Sequence, residues 1–167
     1  MAGEKRHLLL TGGKGAGKSV LLRRLLEGRA LAGGFVTLRR RTPFGGEIYL
    51  LPPEGEGPCG GENLLFVKNR GAVENARFDT LGVSALETRR GEGVLVMDEL
   101  GLAEESSPRF RQAVLDCLEG TVPVYGVVQR GESIFLDRVR QHPAVRLAEV
   151  TAANREALYR LLRAEGW

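Results

Sequence analysis

Eight residues, Gly12-Gly13-Lys14-Gly15-Ala16-Gly17-Lys18-Ser19, constrain this chain more than anything else in it. They follow a short apolar run, His7 to Thr11. They lead directly into Ser19 to Glu27, where Leu21, Leu22, Leu25 and Leu26 recur at helical spacing against Arg23, Arg24 and Glu27. A buried strand, a turn with few side chains to crowd it and an amphipathic helix let consecutive backbone N–H groups converge on phosphate oxygens. The helix beginning near Gly17 aims the positive end of its dipole at the same point. The pattern is G-x-x-x-x-G-K-[ST] throughout, so Gly12 to Ser19, with Val20 behind them, are the candidate phosphate-binding residues. Lys18 would reach the terminal phosphates as a point charge, and the Ser19 hydroxyl would ligate Mg2+.

The rest of the chain alternates strands with helices. Gly34 to Leu38 reads as a strand, and Gly45-Gly46 before Ile48 to Leu51 suggests that it hairpins back. Pro52 to Asn63, rich in Gly, Pro and Glu, reads as a loop. Ala72 to Arg90 reads as a helix with Phe78, Leu81, Ala85 and Leu86 on one face, weakened by Gly82. Gly93 to Met97 is a continuous apolar strand. Ser107-Pro108 starts a helix with Phe110, Ala113, Val114, Cys117 and Leu118 inward, and Gly120 ends it. Val122 to Val128 is a strand, Ile134 to Gln141 a helix and Val145 to Val150 a last strand. Thr151 is placed to cap a final helix carrying Leu158, Leu161 and Leu162. Short, continuously apolar strands between helices predict an α/β fold with a parallel sheet covered on both faces. A single domain over residues 1–167 is expected, with a loop or hairpin excursion at about 42–72.

A second constellation stands at the end of the Gly93 to Met97 strand. Asp98 and Glu99 follow it, which puts two carboxylates at the carboxyl edge of the sheet, where such folds bind ligands. Downstream of a phosphate loop, Asp98 is the candidate for the Mg2+ shell opposite Ser19, and Glu99 the candidate general base for an attacking water. Asp98-Glu99-Leu100-Gly101 also fits D-x-x-G, but no Asn-Lys-x-Asp guanine-reading motif follows, so the base is left open.

Composition narrows the partners. The formal net charge is +3, spread over the whole chain, and Arg39-Arg40-Arg41 lacks the interleaved aromatics of a base-stacking platform. A solvated basic face is therefore preferred to nucleic-acid binding. No apolar run approaches the ~20 residues of a membrane helix. The charged stretch Met1 to Arg6, followed only by Leu8, Leu9 and Leu10, is too short for a signal peptide, and a cytoplasmic chain is expected. The two cysteines, Cys59 and Cys117, have neither paired spacing nor a nearby His, which argues against disulfide and zinc frameworks.

Taken in order, these motifs resemble one family. The phosphate loop is followed by Gly34-Phe35-Val36-Thr37 ending at Arg41, then Val73, Asn75 and Phe78. Asp98-Glu99-Leu100-Gly101 comes next with Glu104 and Phe110, and Thr151-x-x-Asn154-Arg155 closes the series. The chain is similar to the small nucleoside-triphosphatases of thermophilic archaea and bacteria, whose animal relatives are called cancer-related nucleoside triphosphatases. The resemblance implies a P-loop three-layer α/β/α sandwich with a mainly parallel central sheet. It also implies slow, Mg2+-dependent hydrolysis of ATP, GTP and other nucleoside triphosphates to diphosphates, with broad base tolerance. The chain departs from the family at Leu38, Arg39 and Arg40, where acids are usual, and at Leu102-Ala103, where Lys-Met is usual.

Hydrolysis calls for positive charge on the γ-phosphate beyond Lys18, often an arginine. Arg130 qualifies by its place at the end of the Val122 to Val128 strand, Arg41 by matching the family position, and Arg109 by its helix start. Asn154 follows the last strand, where it either reaches the nucleotide or belongs to a helix cap. The expected partner is a nucleoside triphosphate, ATP or GTP, and the chain is expected to be monomeric. Two other readings compete: a small nucleotide or metabolite kinase with Pro52 to Arg70 as a lid and basic residues such as Arg39 to Arg41 or Arg70 clamping an acceptor, and a nucleotide-switched binding module.

Overall fold

The computed structural model describes residues 3–167; Met1 and Ala2, part of the charged N-terminal stretch read above, lie outside the described residues. One eight-stranded sheet organises the chain. It is built from β1 (His7–Gly12), β2 (Leu31–Thr42), β3 (Gly45–Leu51), β4 (Leu64–Asn69), β5 (Ala72–Glu74), β6 (Val94–Leu100), β7 (Val124–Val128) and β8 (Val145–Val150). Their spatial order is β5-β4-β3-β2-β6-β7-β1-β8. The pairs β2–β6, β6–β7, β7–β1 and β1–β8 are parallel, whereas β3, β4 and β5 are added antiparallel beyond β2. The sheet is thus a parallel core with an antiparallel wing.

Strand alternation builds two cores, one on each face. Leu8 and Leu10 of β1, and Val94 and Val96 of β6, meet Leu21, Leu22 and Leu25 of α1 (Lys18–Leu26) and Leu162 of α5 (Arg155–Glu165). The intervening Leu9, Leu95 and Met97 meet α2 (Val83–Glu87), α3 (Pro108–Glu119) and α4 (Ile134–Arg140) through Leu86, Phe110, Val114 and Leu136. Fully buried His7 ties the layers together: Nδ1 accepts the Val124 N–H at 3.1 Å, leaving Nε2 to donate to the Leu118 carbonyl at 2.9 Å. Among the described residues no helix is long and apolar enough to cross a membrane.

Three expectations need correction. The stretch 72–90 is not one helix: Ala72–Glu74 is an exposed edge strand on β4, and only Phe78 onward coils, as a π-helical turn (Phe78–Gly82) running into α2. The strands β3 and β4 both lie in the stretch read as a loop or hairpin excursion, where they pair antiparallel. Ser107 precedes Pro108 as expected, but its side chain does not cap α3. Asp79, from the π-helical turn, accepts the Phe110 N–H at 2.8 Å instead. Thr151 likewise caps no part of α5, which begins at Arg155; its Oγ1 accepts the Asn154 N–H at 3.0 Å in the preceding turn.

Candidate active site

The carboxyl ends of β1, β6, β7 and β8 converge on one edge. Gly17, at φ 92°, turns the chain from the loop into α1 in a left-handed conformation that a side chain would disfavour. The Arg155 guanidinium lies over the space its Cβ would take. Lys18 folds back across the loop, its Nζ donating to the carbonyls of Gly12 at 2.7 Å and Gly13 at 3.3 Å. The loop walls a cavity of about 590 Å³, which Gly12, Gly13, Lys14, Gly15, Gly17, Lys18, Ser19 and Val20 all line. Ala16 is the exception and packs down on the α1-side core.

Asp98 continues the alternation of Val94 and Val96 toward α1. There the Ser19 hydroxyl, one residue into the helix, donates to Asp98 Oδ1 at 3.0 Å across 79 residues of sequence. Burial raises the Asp98 carboxyl to about 6; Glu99 adds to the rise, while the Ser19 bond, Arg23 and Lys18 oppose it. A hydroxyl facing a desolvated carboxylate is a hard-oxygen pair that could hold a divalent cation, which would itself keep Asp98 ionised. Among the described residues no group of three or more His, Cys, Asp or Glu is placed to hold a metal, so phosphate and water would complete such a shell.

Glu99, half-buried, lines the same cavity. Its Oε1 accepts from Gln129 Nε2 at 2.5 Å, and Gln129 Oε1 accepts the Leu102 N–H at 3.4 Å. The Gln129 main-chain carbonyl is in turn held by Arg140 at 2.7 Å. Gln129 was not foreseen, although its place one residue beyond β7, beside Arg130, is the same edge-of-sheet signal that identified Arg130. The structure brings in two further residues that sequence reading did not assign to the phosphates, Arg39 of β2 and Lys68 of β4.

Arg130 lines the cavity of the loop and is ion-paired with Glu149. Arg41 lies outside it. Two residues beyond Arg39 on the same strand face, Arg41 sits roughly 7 Å further out on the β2–β3 ribbon, opposite Gly46. Arg109 is exposed at the start of α3 and lines no part of the cavity. Asn154 is engaged locally: its Oδ1 accepts the Thr151 N–H at 2.8 Å and its Nδ2 donates to the Glu149 carbonyl at 2.9 Å.

Glu104 is a second carboxyl whose pKa burial raises. It is 2% exposed, and Oε2 accepts the Gly101 N–H at 2.8 Å. Burial pushes its pKa to about 8, with Glu99 and Glu105 adding to the rise and its backbone hydrogen bonds opposing it. The proton is held more tightly in the folded chain than in the unfolded one. The stability it confers is complete below about pH 4.5 and drains away as pH rises through about 8. Glu104→Gln keeps the oxygen that accepts from Gly101 and cannot ionise. The variant should gain on the wild type by on the order of 1 kcal/mol per pH unit across that window, seen by urea denaturation at pH 5, 6.5 and 8. Parallel curves for the two proteins would exclude a buried, proton-binding Glu104.

With this geometry in place, comparison with known proteins is decisive. A family described as NTPase matches residues 7–162, from the first strand to the last helix. The chain belongs to this NTPase family. It is 29% identical over 157 residues to the nucleoside-triphosphatase THEP1 of Thermotoga petrophila, covering 90% of this chain and 87% of that one. It is 28% identical over 182 residues to the human cancer-related nucleoside-triphosphatase, covering 92% of each. Its fold is that of the crystal structure of THEP1 from Aquifex aeolicus, at a TM-score of 0.69 and 22% identity over 93% of this chain and 96% of that one. The P-loop α/β fold expected of the family is therefore the one observed. To the parallel core, this NTPase chain adds the β3–β5 wing that carries Lys68 to the cavity of the loop.

Proposed function

We propose that the chain is a Mg2+-dependent nucleoside triphosphatase that hydrolyses ATP, GTP and other nucleoside triphosphates to diphosphate and phosphate with little discrimination between bases. The observation that carries this reading is the 3.0 Å contact of Ser19 Oγ with Asp98 Oδ1 at the head of α1, beside Glu99. Gly12 to Ser19 cradle the phosphates with backbone N–H groups. Lys18 leaves the Gly12 and Gly13 carbonyls to meet the β- and γ-phosphate oxygens. Ser19 and Asp98 would hold Mg2+, which when bound neutralises charge on those oxygens. Glu99, oriented by Gln129, takes a proton from water as its oxygen attacks the γ-phosphorus. The bond to the β–γ bridging oxygen breaks, the diphosphate leaves, and Lys18 meets the charge that develops. Arg39 of β2 and Arg130, two residues past β7, supply further positive charge. Broad base tolerance is supported by Asn154, whose amide is already engaged by Thr151 and Glu149 and has little left to read a base. The same reading has the chain working as a monomer in the cytoplasm, without a nucleic-acid partner.

Phosphate release from ATP, GTP, CTP and UTP tests this. Rates should lie within about tenfold of one another, fall to background with EDTA, and fall at least a hundredfold in Lys18→Ala. Release that ignores EDTA or Lys18→Ala, or no turnover of any of the four, overturns it.

A further inference from the structure

Past Glu99 the phosphate cavity opens into a second one, of about 480 Å³. The two share Ser19, Arg39, Lys68, Glu99 and Gln129, so the γ-phosphate end of one is the mouth of the other. A hydrolytic water takes up about 30 Å³. A space more than ten times that is the size of a small-molecule site. Its lining sets an apolar stretch, which a water site does not need, beside polar groups that include Thr37 and Asp98. Ile48 of β3, Phe66 of β4, Val73 of β5 and Phe78 face Leu102 and Ala103 across it. Ile48, Phe66 and Val73 come from the antiparallel wing, which the parallel P-loop core does not need in order to bind phosphate. Buried Glu104 adds a polar group to the lining.

We propose that this second cavity binds a small phosphoryl acceptor, a hydroxyl-bearing molecule with an apolar body and an anionic group, and that the chain transfers the γ-phosphoryl group to it. The proposal rests on the nucleotide reading above and extends it. The acceptor hydroxyl takes the place of water: its oxygen bonds to the γ-phosphorus, the bond to the β–γ bridging oxygen breaks, the nucleoside diphosphate leaves, and the hydroxyl proton passes to Glu99. The apolar body packs against Ile48, Phe66 and Phe78. Lys68, exposed at the shared mouth, meets the anionic group, while Arg39 beside it serves the γ-phosphate. Hydrolysis is then what the same base does when the second cavity holds only water.

The test follows label from γ-labelled ATP with Mg2+ and 10 mM of one of three probes: 3-(hydroxymethyl)benzoate, 4-(hydroxymethyl)benzoate or 3-hydroxy-2,2-dimethylpropanoate. The matching methylbenzoates, which lack the hydroxyl, are the controls. At least one hydroxylated probe should become a labelled phosphomonoester, and the controls should not. Val73→Trp, on an exposed edge strand, and Ala103→Phe each narrow the cavity and should lower the ratio of transfer to hydrolysis at least tenfold. Label found only in inorganic phosphate with every probe overturns the acceptor site while leaving the nucleotide reading intact. Transfer whose ratio neither variant changes overturns it too. No turnover without any probe is instead a failure of the nucleotide reading.

Discussion

Glu99→Gln should slow phosphate release by about three orders of magnitude while nucleotide still binds. The substitution is nearly isosteric, and the new amide can still bond to Gln129, which now holds Glu99 Oε1 at 2.5 Å. What disappears is the ability to accept a proton. Positioned general bases contribute about 10²- to 10⁴-fold, so a loss of about 10³ is the expected size if Glu99 carries that step. Ser19, Asp98 and the loop are untouched, so binding of a fluorescent ATP analogue with Mg2+ should change little. Single-turnover phosphate release is the measurement to make, because it isolates chemistry from product release. A variant that releases phosphate within tenfold of the wild type would remove Glu99 from the role of base.

The parts of the site visible in the sequence are those set by local chemistry. The loop from Gly12 to Ser19 is written in consecutive residues, since backbone N–H convergence demands side-chain-free positions at fixed spacing. Asp98 and Glu99 were legible because a buried parallel strand reads as an unbroken apolar run, and its end marks the ligand edge. The parallel core followed for the same reason. The wing was harder. Ala72–Glu74 is exposed along its length and is held by main-chain pairing to β4, so its side chains carry no strand pattern. Phe78, Leu81, Ala85 and Leu86 do sit at helical spacing, and they do coil; the residues before them, Ala72–Glu74, pair as a strand instead. That Arg39 and Lys68 line the cavity of the loop was not legible, because what brings them there is the sideways pairing of β2, β3 and β4. Arg41 has the same charge and faces the same way, and is one pleat too far along.

Gly34→Ala should cost more than about 3 kcal/mol of stability and in practice yield little soluble protein. The site depends on this position, although Gly34 lines neither cavity beside Glu99. Gly34 stands at φ 101° in the middle of β2, a conformation that L side chains rarely adopt, directly opposite Val96 of β6. A Cβ there would be built into the Val96 carbonyl oxygen, well inside any allowed contact. The neighbour is main chain in the centre of the sheet and cannot swing aside as a side chain could. Relief therefore requires β2 to move off β6. The same register pairs Phe35 with Met97 and Val36 with Asp98, so that movement displaces the carboxylate that Ser19 meets. Gly60→Ala is the matched control. That glycine has nothing within 4 Å of its would-be Cβ, and its variant should stay within about 0.5 kcal/mol of wild type. Urea unfolding followed by circular dichroism compares the three proteins directly. Should Gly34→Ala unfold at the same urea concentration as Gly60→Ala, the close approach of β2 to β6 is not what this glycine is there to permit.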